Sequence, residues 1–330
     1  MKHILLIGGA GYIGSVITNH LLYSGQKVTV LDNLIFNNKF AIKDYFENQN
    51  FKFIKGDLRN KKDLDRSISD ITDIILLASV VGDPISKKYP KETNEINNIG
   101  IKKCLDYFNK KKIEKVFFVS TCSNYGLDNS NELIDEKHKL NPLSLYAKTK
   151  VSVEKYILEN KNNFDFTPVI LRFATAFGAS PRMRFDLTVN QFANELAQLN
   201  TLEVYDPDTW RPYCHVQDFA KIIFKLLFLE NKIVKNEIFN IGSNKNNFTK
   251  RQIVEMIVKK IGKKCDVKII GEGPDKRNYK INFNKITNLI NHDMISVSAG
   301  IDEILSEIKN KKYSDYANNR DKYENLKISG

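Results

Sequence analysis

Tyr146-Ala147-Lys148-Thr149-Lys150 places a phenol and an amine four residues apart, which on a helix is one turn along the same face. A phenol with an ordinary pKa of about 10 is a poor base at neutral pH, but a neighbouring ammonium and an oxidised nicotinamide both stabilise the phenolate. Tyr146 and Lys150 can then work as one proton-abstracting unit. In an arbitrary helix the same spacing is ordinary surface chemistry, so the order along the chain decides. Ahead of the pair lies Ser120-Thr121-Cys122-Ser123-Asn124-Tyr125-Gly126, at the end of the fifth short apolar run. The C-terminal ends of such strands are where ligands sit, and a hydroxyl from Thr121 there can hold a substrate oxygen against the tyrosine.

A second constellation opens the chain. Gly8-Gly9-Ala10-Gly11-Tyr12-Ile13-Gly14 follows the first apolar run directly and leads into a helical pattern. In that setting Gly8 makes a tight turn, Gly11 lets a pyrophosphate approach backbone N–H groups, and Gly14 lets the helix pack on the strand. At the end of the second run stands Asp32. A carboxylate there accepts hydrogen bonds from the adenosine ribose and repels a 2′-phosphate, which favours NAD over NADP. The plainer reading is a glycine turn used for helix packing and an aspartate that caps the next turn.

These groups need a scaffold. Ile4 to Ile7, Val28 to Leu31, Phe51 to Ile54, Ile74 to Leu77, Val116 to Val119 and Val169 to Leu171 alternate with helical patterns, which is a βαβ rhythm. Runs apolar on both faces belong in a parallel sheet covered by helices on each side. The fold class is therefore α/β, a doubly wound parallel Rossmann sheet. Helices are expected from about Glu92 to Phe108 and from Pro142 to about Asn160. Beyond Gly178 the rhythm breaks into helices near Leu187 to Leu199 and Phe219 to Leu229, with short strands at Leu202 to Tyr205 and Glu237 to Ile241. Thr249 with Gln252 reads as a capping box for a helix ending near Gly262. The expected division is an NAD-binding domain over 1–178, with a return segment near 213–241, interleaved with a smaller mixed α/β substrate-binding domain over 179–330. The polar stretch from Lys311 to Gly330 reads as a loosely held tail.

Composition narrows the partners. The chain has 330 residues, 42% hydrophobic and 27% charged, which suits a globular protein. Its apolar runs are too short to span a bilayer, and the N-terminus enters a strand pattern without a cleavable signal, so a cytoplasmic protein is expected. The net charge of +12 comes from lysines spread over nearly every helix, which reads as a solvated surface and not as a site for nucleic acid or membrane. Cys104, Cys122, Cys214 and Cys265 lack metal-ligand spacing, so reduced thiols and no metal are expected.

From about Lys2 to Leu305 the sequence resembles the extended short-chain dehydrogenase/reductases that act as nucleotide-sugar epimerases, dehydratases and reductases. The likeness is carried by the Gly8 to Gly14 turn, Asp32-Asn33, Gly56-Asp57-Leu58, Asn97 before Gly100, Thr121 ahead of Tyr125-Gly126, Tyr146 with Lys150, and Arg211 to Asp218. The resemblance implies that Gly8, Gly11, Tyr12, Ile13, Gly14, Asp32, Asn33 and Ala78 contact NAD, with Asn97 beside them. Asp57 and Leu58 flank the adenine, and Lys150 holds the nicotinamide ribose. It makes Thr121 the hydroxyl partner and Tyr146 the base. It assigns Arg211 and Arg277, with Asn190, to the diphosphate of a nucleotide-sugar substrate, adds Ser123 and Thr175 to the substrate side, and leaves Arg182 and Arg184 as further candidates. It also implies a homodimer formed through two helices per subunit.

There are two departures. Thr175 stands where many members have Asn, and Ser180 to Asn190 resembles a subgroup that includes bacterial capsular GDP-heptose 4-dehydrogenases. The expected function is oxidation at C4 of a nucleotide-activated sugar, as a 4-epimerase or 4-dehydrogenase in surface polysaccharide precursor biosynthesis. The alternatives are a 4,6-dehydratase and a catalytically silent nucleotide- or RNA-binding protein. The dehydratases that the sequence resembles have an Asp and a Glu directly after the threonine of the fifth strand; here those positions are Cys122 and Ser123, which argues against removal of water.

Overall fold

The computed structural model describes residues 1–128, 132–271, 273 and 275–328. All six expected runs form strands: β1 (His3–Ile7), β2 (Lys27–Asp32), β3 (Phe51–Lys55), β4 (Asp73–Leu76), β5 (Lys115–Thr121) and the strand Thr167–Phe173. Ile238–Ile241 returns from far along the chain to pair with Thr167–Phe173 at the sheet edge. From that edge the seven-stranded order runs Ile238–Ile241, Thr167–Phe173, β5, β4, β1, β2, β3, and every pairing is parallel.

Period-two alternation explains why the strands are apolar throughout. Ile4, Leu6, Val28, Val30 and Phe117 pack into a core on one face, while Leu5, Ile7, Leu31, Ile74 and Phe118 pack into a second core on the other. All seven residues of β5 are buried. With helices on both faces, no position in the strand can be polar without a partner. The strand order reverses between β1, β2 on one side and β4 on the other, and this switch point opens a crevice at the C-terminal strand ends.

Helix α1 (Tyr12–Tyr23) starts straight after the glycine turn. The expected helix from Glu92 is longer and less regular: it begins at Pro90, passes through a π turn at Glu95–Gly100 and continues over Ile101–Phe108. The helix Leu145–Asn160 starts where the Ser144 hydroxyl accepts the Ala147 N–H at 3.2 Å. Further on, Trp210–His215 pairs with Thr175–Phe177 and with Asn247–Thr249, and Thr201–Tyr205 pairs with Asp266–Ile270. The capping box forms in full: Gln252 N donates to Thr249 Oγ1 at 3.2 Å, and Thr249 N donates to Gln252 Oε1 at 2.9 Å.

The C-terminal stretch is not a loose tail. Tyr313 and Tyr323 are buried against Phe185, with ring centroids 5.0 and 5.8 Å from it, and Phe185 N donates to the Tyr323 carbonyl at 2.8 Å. The polar average of this stretch hid three aromatic rings that complete a cluster with Phe185; positions 329 and 330 lie outside the described residues. Among the described residues no helix is long and apolar enough to cross a membrane.

Candidate active site

The crevice at the switch point is a cavity of about 1320 Å³. Its walls include Gly8, Gly11, Tyr12, Ile13, Gly14, Asp32, Asn33, Asp57, Leu58 and Ala78 at one end. Thr121, Ser123, Tyr146, Lys150, Thr175, Arg182, Arg184, Arg211 and Arg277 complete it. Two expected contacts do not reach it. Asn97 is fully buried, and both ends of its amide are engaged by Val80, accepting the N–H at 2.8 Å and donating to the carbonyl at 3.0 Å. It props the wall that follows β4. Asn190 is also fully buried: it accepts from Gly178 N at 3.0 Å and donates to the Arg184 carbonyl and the Tyr12 hydroxyl, both at 2.9 Å. With both amide ends occupied, Asn190 joins the 178–184 turn to Tyr12 and has no donor left for a diphosphate.

Around the phenol, the chain assembles charge from four elements. Lys150 Nζ lies 5.8 Å from the centre of the Tyr146 ring and donates to the Val119 carbonyl at 2.8 Å. That carbonyl fixes the ammonium between the helix and β5. Burial lowers the Lys150 pKa to about 7, against the pull of Glu154 one turn further on. Thr121 caps the turn after β5, its Oγ1 accepting Ser123 N at 3.1 Å. Burial pushes the Tyr146 phenol well above its ordinary value, and Asp83 adds to this, while Arg184 and Arg277 oppose it.

Arg277 is held on every side. Its Nε and Nη2 donate to Asp275 at 2.8 Å each, Nη2 lies 3.0 Å from Asp83 Oδ2, and Nη1 donates to Ser123 Oγ at 2.8 Å. Arg211 Nη2 is 2.9 Å from Asp275 Oδ2, an ion pair without hydrogen-bond alignment. Arg184 pairs with Asp186 at 2.6 Å.

A model of the NAD dependent epimerase/dehydratase family matches residues 4–242, well over half of the chain. The chain belongs to that family. It is 29% identical over 272 residues to the UDP-glucose 4-epimerase of Halalkalibacterium halodurans, covering 77% of this chain and 78% of that protein. Its structure resembles that of the UDP-glucuronic acid 4-epimerase from Bacillus cereus in complex with UDP-glucuronic acid and NAD, with a TM-score of 0.81 and 26% identity over 94% of this chain and 100% of the other. It also resembles the dTDP-glucose 4,6-dehydratase from Bacillus anthracis in complex with NAD, with a TM-score of 0.83 and 25% identity over 95% and 98%.

As a member of the epimerase/dehydratase family, the chain uses NAD, and its residues fit that cofactor. Gly11 caps α1 with no side-chain hydrogen bond, and the first turn carries no acidic residue, so the helix offers free N–H groups and a positive dipole end at the cavity wall. A Cβ on Gly8, whose φ is +90°, would lie 2.6 Å from Ala78 N, so only glycine keeps the turn this tight. The Asp32 carboxylate accepts Ala10 N at 3.1 Å and Leu34 N at 2.8 Å, which orients it at the end of β2.

Sequence reading missed three of the cavity carboxylates and a lysine. Asp83, Asp186 and Asp275 all line the cavity, as does Lys250. A signal existed for Asp83: Gly82-Asp83-Pro84 follows the fourth strand, at the same end of the sheet that singled out Thr121.

Proposed function

We propose that this member of the epimerase/dehydratase family oxidises C4 of a nucleotide-activated sugar without removing water. The keto sugar is then reduced on its other face, giving a 4-epimerase, or released, giving a 4-dehydrogenase, in the supply of surface polysaccharide precursors. Thr121 Oγ1 holds the C4 oxygen, and Tyr146 takes the hydroxyl proton as the C4–H bond breaks. Lys150, beside the ring, favours the phenolate by charge and binds the nicotinamide ribose. NAD, when bound, accepts the hydride. Arg211, Arg277 and Lys250 attract the diphosphate, with Ser123 and Thr175 on the sugar side. By resemblance, two subunits pair through the Pro90–Phe108 and Leu145–Asn160 helices.

The observation that carries this reading is the state of the two residues after Thr121. Elimination from a 4-keto sugar needs a base for the C5 proton and an acid for the departing C6 hydroxyl. Cys122 is buried, its thiol donates to the Arg172 carbonyl at 3.3 Å, and burial raises its pKa far from thiolate chemistry. Ser123 is a neutral hydroxyl bound by Arg277. Glu132, Asp135 and Glu136 are not in the cavity wall; of the cavity carboxylates, Asp83, Asp186 and Asp275 are each paired with an arginine, and Asp32 and Asp57 belong to the ends of β2 and β3, where the cofactor is expected. The test is incubation with NAD and a panel of UDP-, GDP- and dTDP-sugars in deuterated water, followed by mass and proton spectra. A C4 epimer, or a 4-keto product with reduced cofactor, is expected; loss of water with deuterium at C5 and C6 would overturn the reading.

A further inference from the structure

We propose that Arg182 is the cation that meets the pyrophosphate of NAD, which makes it a cofactor residue and not part of the substrate diphosphate site. The proposal rests on NAD as the cofactor and adds a contact to it from the far side of the cavity, outside the glycine turn. Four arginines line the cavity. Arg184, Arg211 and Arg277 each have a carboxylate within 3.0 Å. Arg182 has none within ion-pair distance among the described residues. Its Nη1 lacks any hydrogen-bond partner, and its Nη2 reaches only the Glu324 carbonyl, at 3.5 Å. Yet the residue is 2% exposed. A guanidinium shielded from water without a counter-charge is strongly unfavourable, and the two arrangements that relieve it are a partner anion or rearrangement toward solvent.

Position identifies the anion. Arg182 follows Ser180, whose hydroxyl donates to the Tyr12 carbonyl at 2.7 Å and lies 3.2 Å from the Ser15 hydroxyl, so this turn is joined to the first turn of α1. The Arg182 guanidinium sits 5.7 Å from the ring of Phe36, in the loop that continues from Asp32. It therefore stands between the uncapped start of α1 and the loop that leaves β2. Two sources of positive potential, the helix N-terminus and a guanidinium without a direct ion pair, converge on one part of the cavity. Burial together with the neighbouring Arg184 pulls the Arg182 pKa down to about 10, and Asp186, itself bound by Arg184, offsets this only in part.

The test compares the wild type with Arg182→Gln and Arg182→Lys, using titration calorimetry with NAD, UDP and GDP on cofactor-stripped protein, and melting curves with and without NAD. NAD binding by the wild type is measured first and checks the cofactor assignment independently. Arg182→Gln is expected to weaken NAD binding roughly 10- to 100-fold, the loss of a charge-assisted contact. It should leave UDP and GDP affinity within about twofold. Because the native cation is unpaired in the empty protein, Arg182→Gln should melt no lower than the wild type without NAD and gain less from adding it. Arg182→Lys should keep more of the NAD affinity than Gln. Unchanged NAD affinity, a selective loss of UDP or GDP binding, or a lower melting point of the cofactor-free Gln variant would each overturn the proposal.

Discussion

Tyr146, the proposed base, is kept protonated by the protein alone. Burial and Asp83 both raise its pKa, and the opposing cations Arg184 and Arg277 are each tied to carboxylates. Proton abstraction then depends on charge arriving with ligands and on Lys150, which couples the base to the occupied state of the site. Tyr146→Phe is expected to lower kcat by about 10²- to 10⁴-fold, the usual worth of a general base, with NAD affinity within a few-fold of wild type. Turnover kinetics with calorimetry check both halves, and a variant retaining wild-type kcat would place the base elsewhere. Lys150 gives a separate signature. Its folded pKa of about 7 lies below its ordinary 10.5, so the folded protein binds fewer protons than the unfolded chain between those values. Its contribution is therefore fully present above 10.5 and lost as pH falls to 7. Urea unfolding of the cofactor-free protein should show stability gained from pH 7 to about 9.5, by up to about 1.4 kcal/mol per pH unit from this group, and Lys150→Met should flatten that slope.

At the scale of elements, α1 and the turn before it are fitted to each other. A Cβ on Gly14 would lie 2.4 Å from the Gly8 carbonyl oxygen, so Gly14→Ala must lift the helix off the turn. A lower melting temperature and an NAD affinity reduced about tenfold or more are expected, measured by melting curves and calorimetry. Unchanged NAD binding would mean that the helix start does not set the cofactor site. This turn, like β1 to β5, was legible because a local rule fixes it: strands buried on both faces are apolar throughout, and glycine spacing between strand and helix has one geometric use. The capping box of Thr249 and Gln252 was legible for the same reason. The π turn at Glu95–Gly100 was not, since one extra residue in a turn leaves no compositional mark. Nor were the partners of the arginines. Arg211 meets Asp275 and Arg277 meets Asp83 across more than sixty residues of chain, and only the fold brings them together. Asn97 and Asn190 show a related limit: motif position placed them beside the ligands, while side-chain hydrogen bonding makes them supports of the wall.

At the scale of the whole molecule, the cavity joins the first strand to the end of the chain. Asn325 and Leu326 form part of its wall. Asn325 N donates to Asp186 Oδ2 at 3.2 Å and its Nδ2 to the Val81 carbonyl at 3.3 Å, while Lys88 Nζ donates to the Leu326 carbonyl at 3.3 Å. The terminal segment thus spans the loop after β4 and the turn that carries Arg184 and Asp186, two walls that a bound dinucleotide would brace from inside. The same segment carries trypsin sites at Arg320, Lys322 and Lys327. Tyr323 and Glu324 are buried and Asn325 is bonded to Asp186 and Val81, so cleavage requires the segment to open first. A ligand that binds only the closed form lowers the open population by the factor one plus the ratio of free ligand to dissociation constant, about 100 at 100 times that constant. Saturating NAD should therefore slow tryptic cleavage within residues 320–327 by about tenfold or more, followed by mass spectrometry of the released C-terminal peptides. Cleavage elsewhere should slow only as far as global unfolding limits it. Equal rates at 320–327 with and without NAD would show that the terminal segment opens independently of the cofactor site, and that its contacts with Val81 and Asp186 do not couple the two ends of the chain.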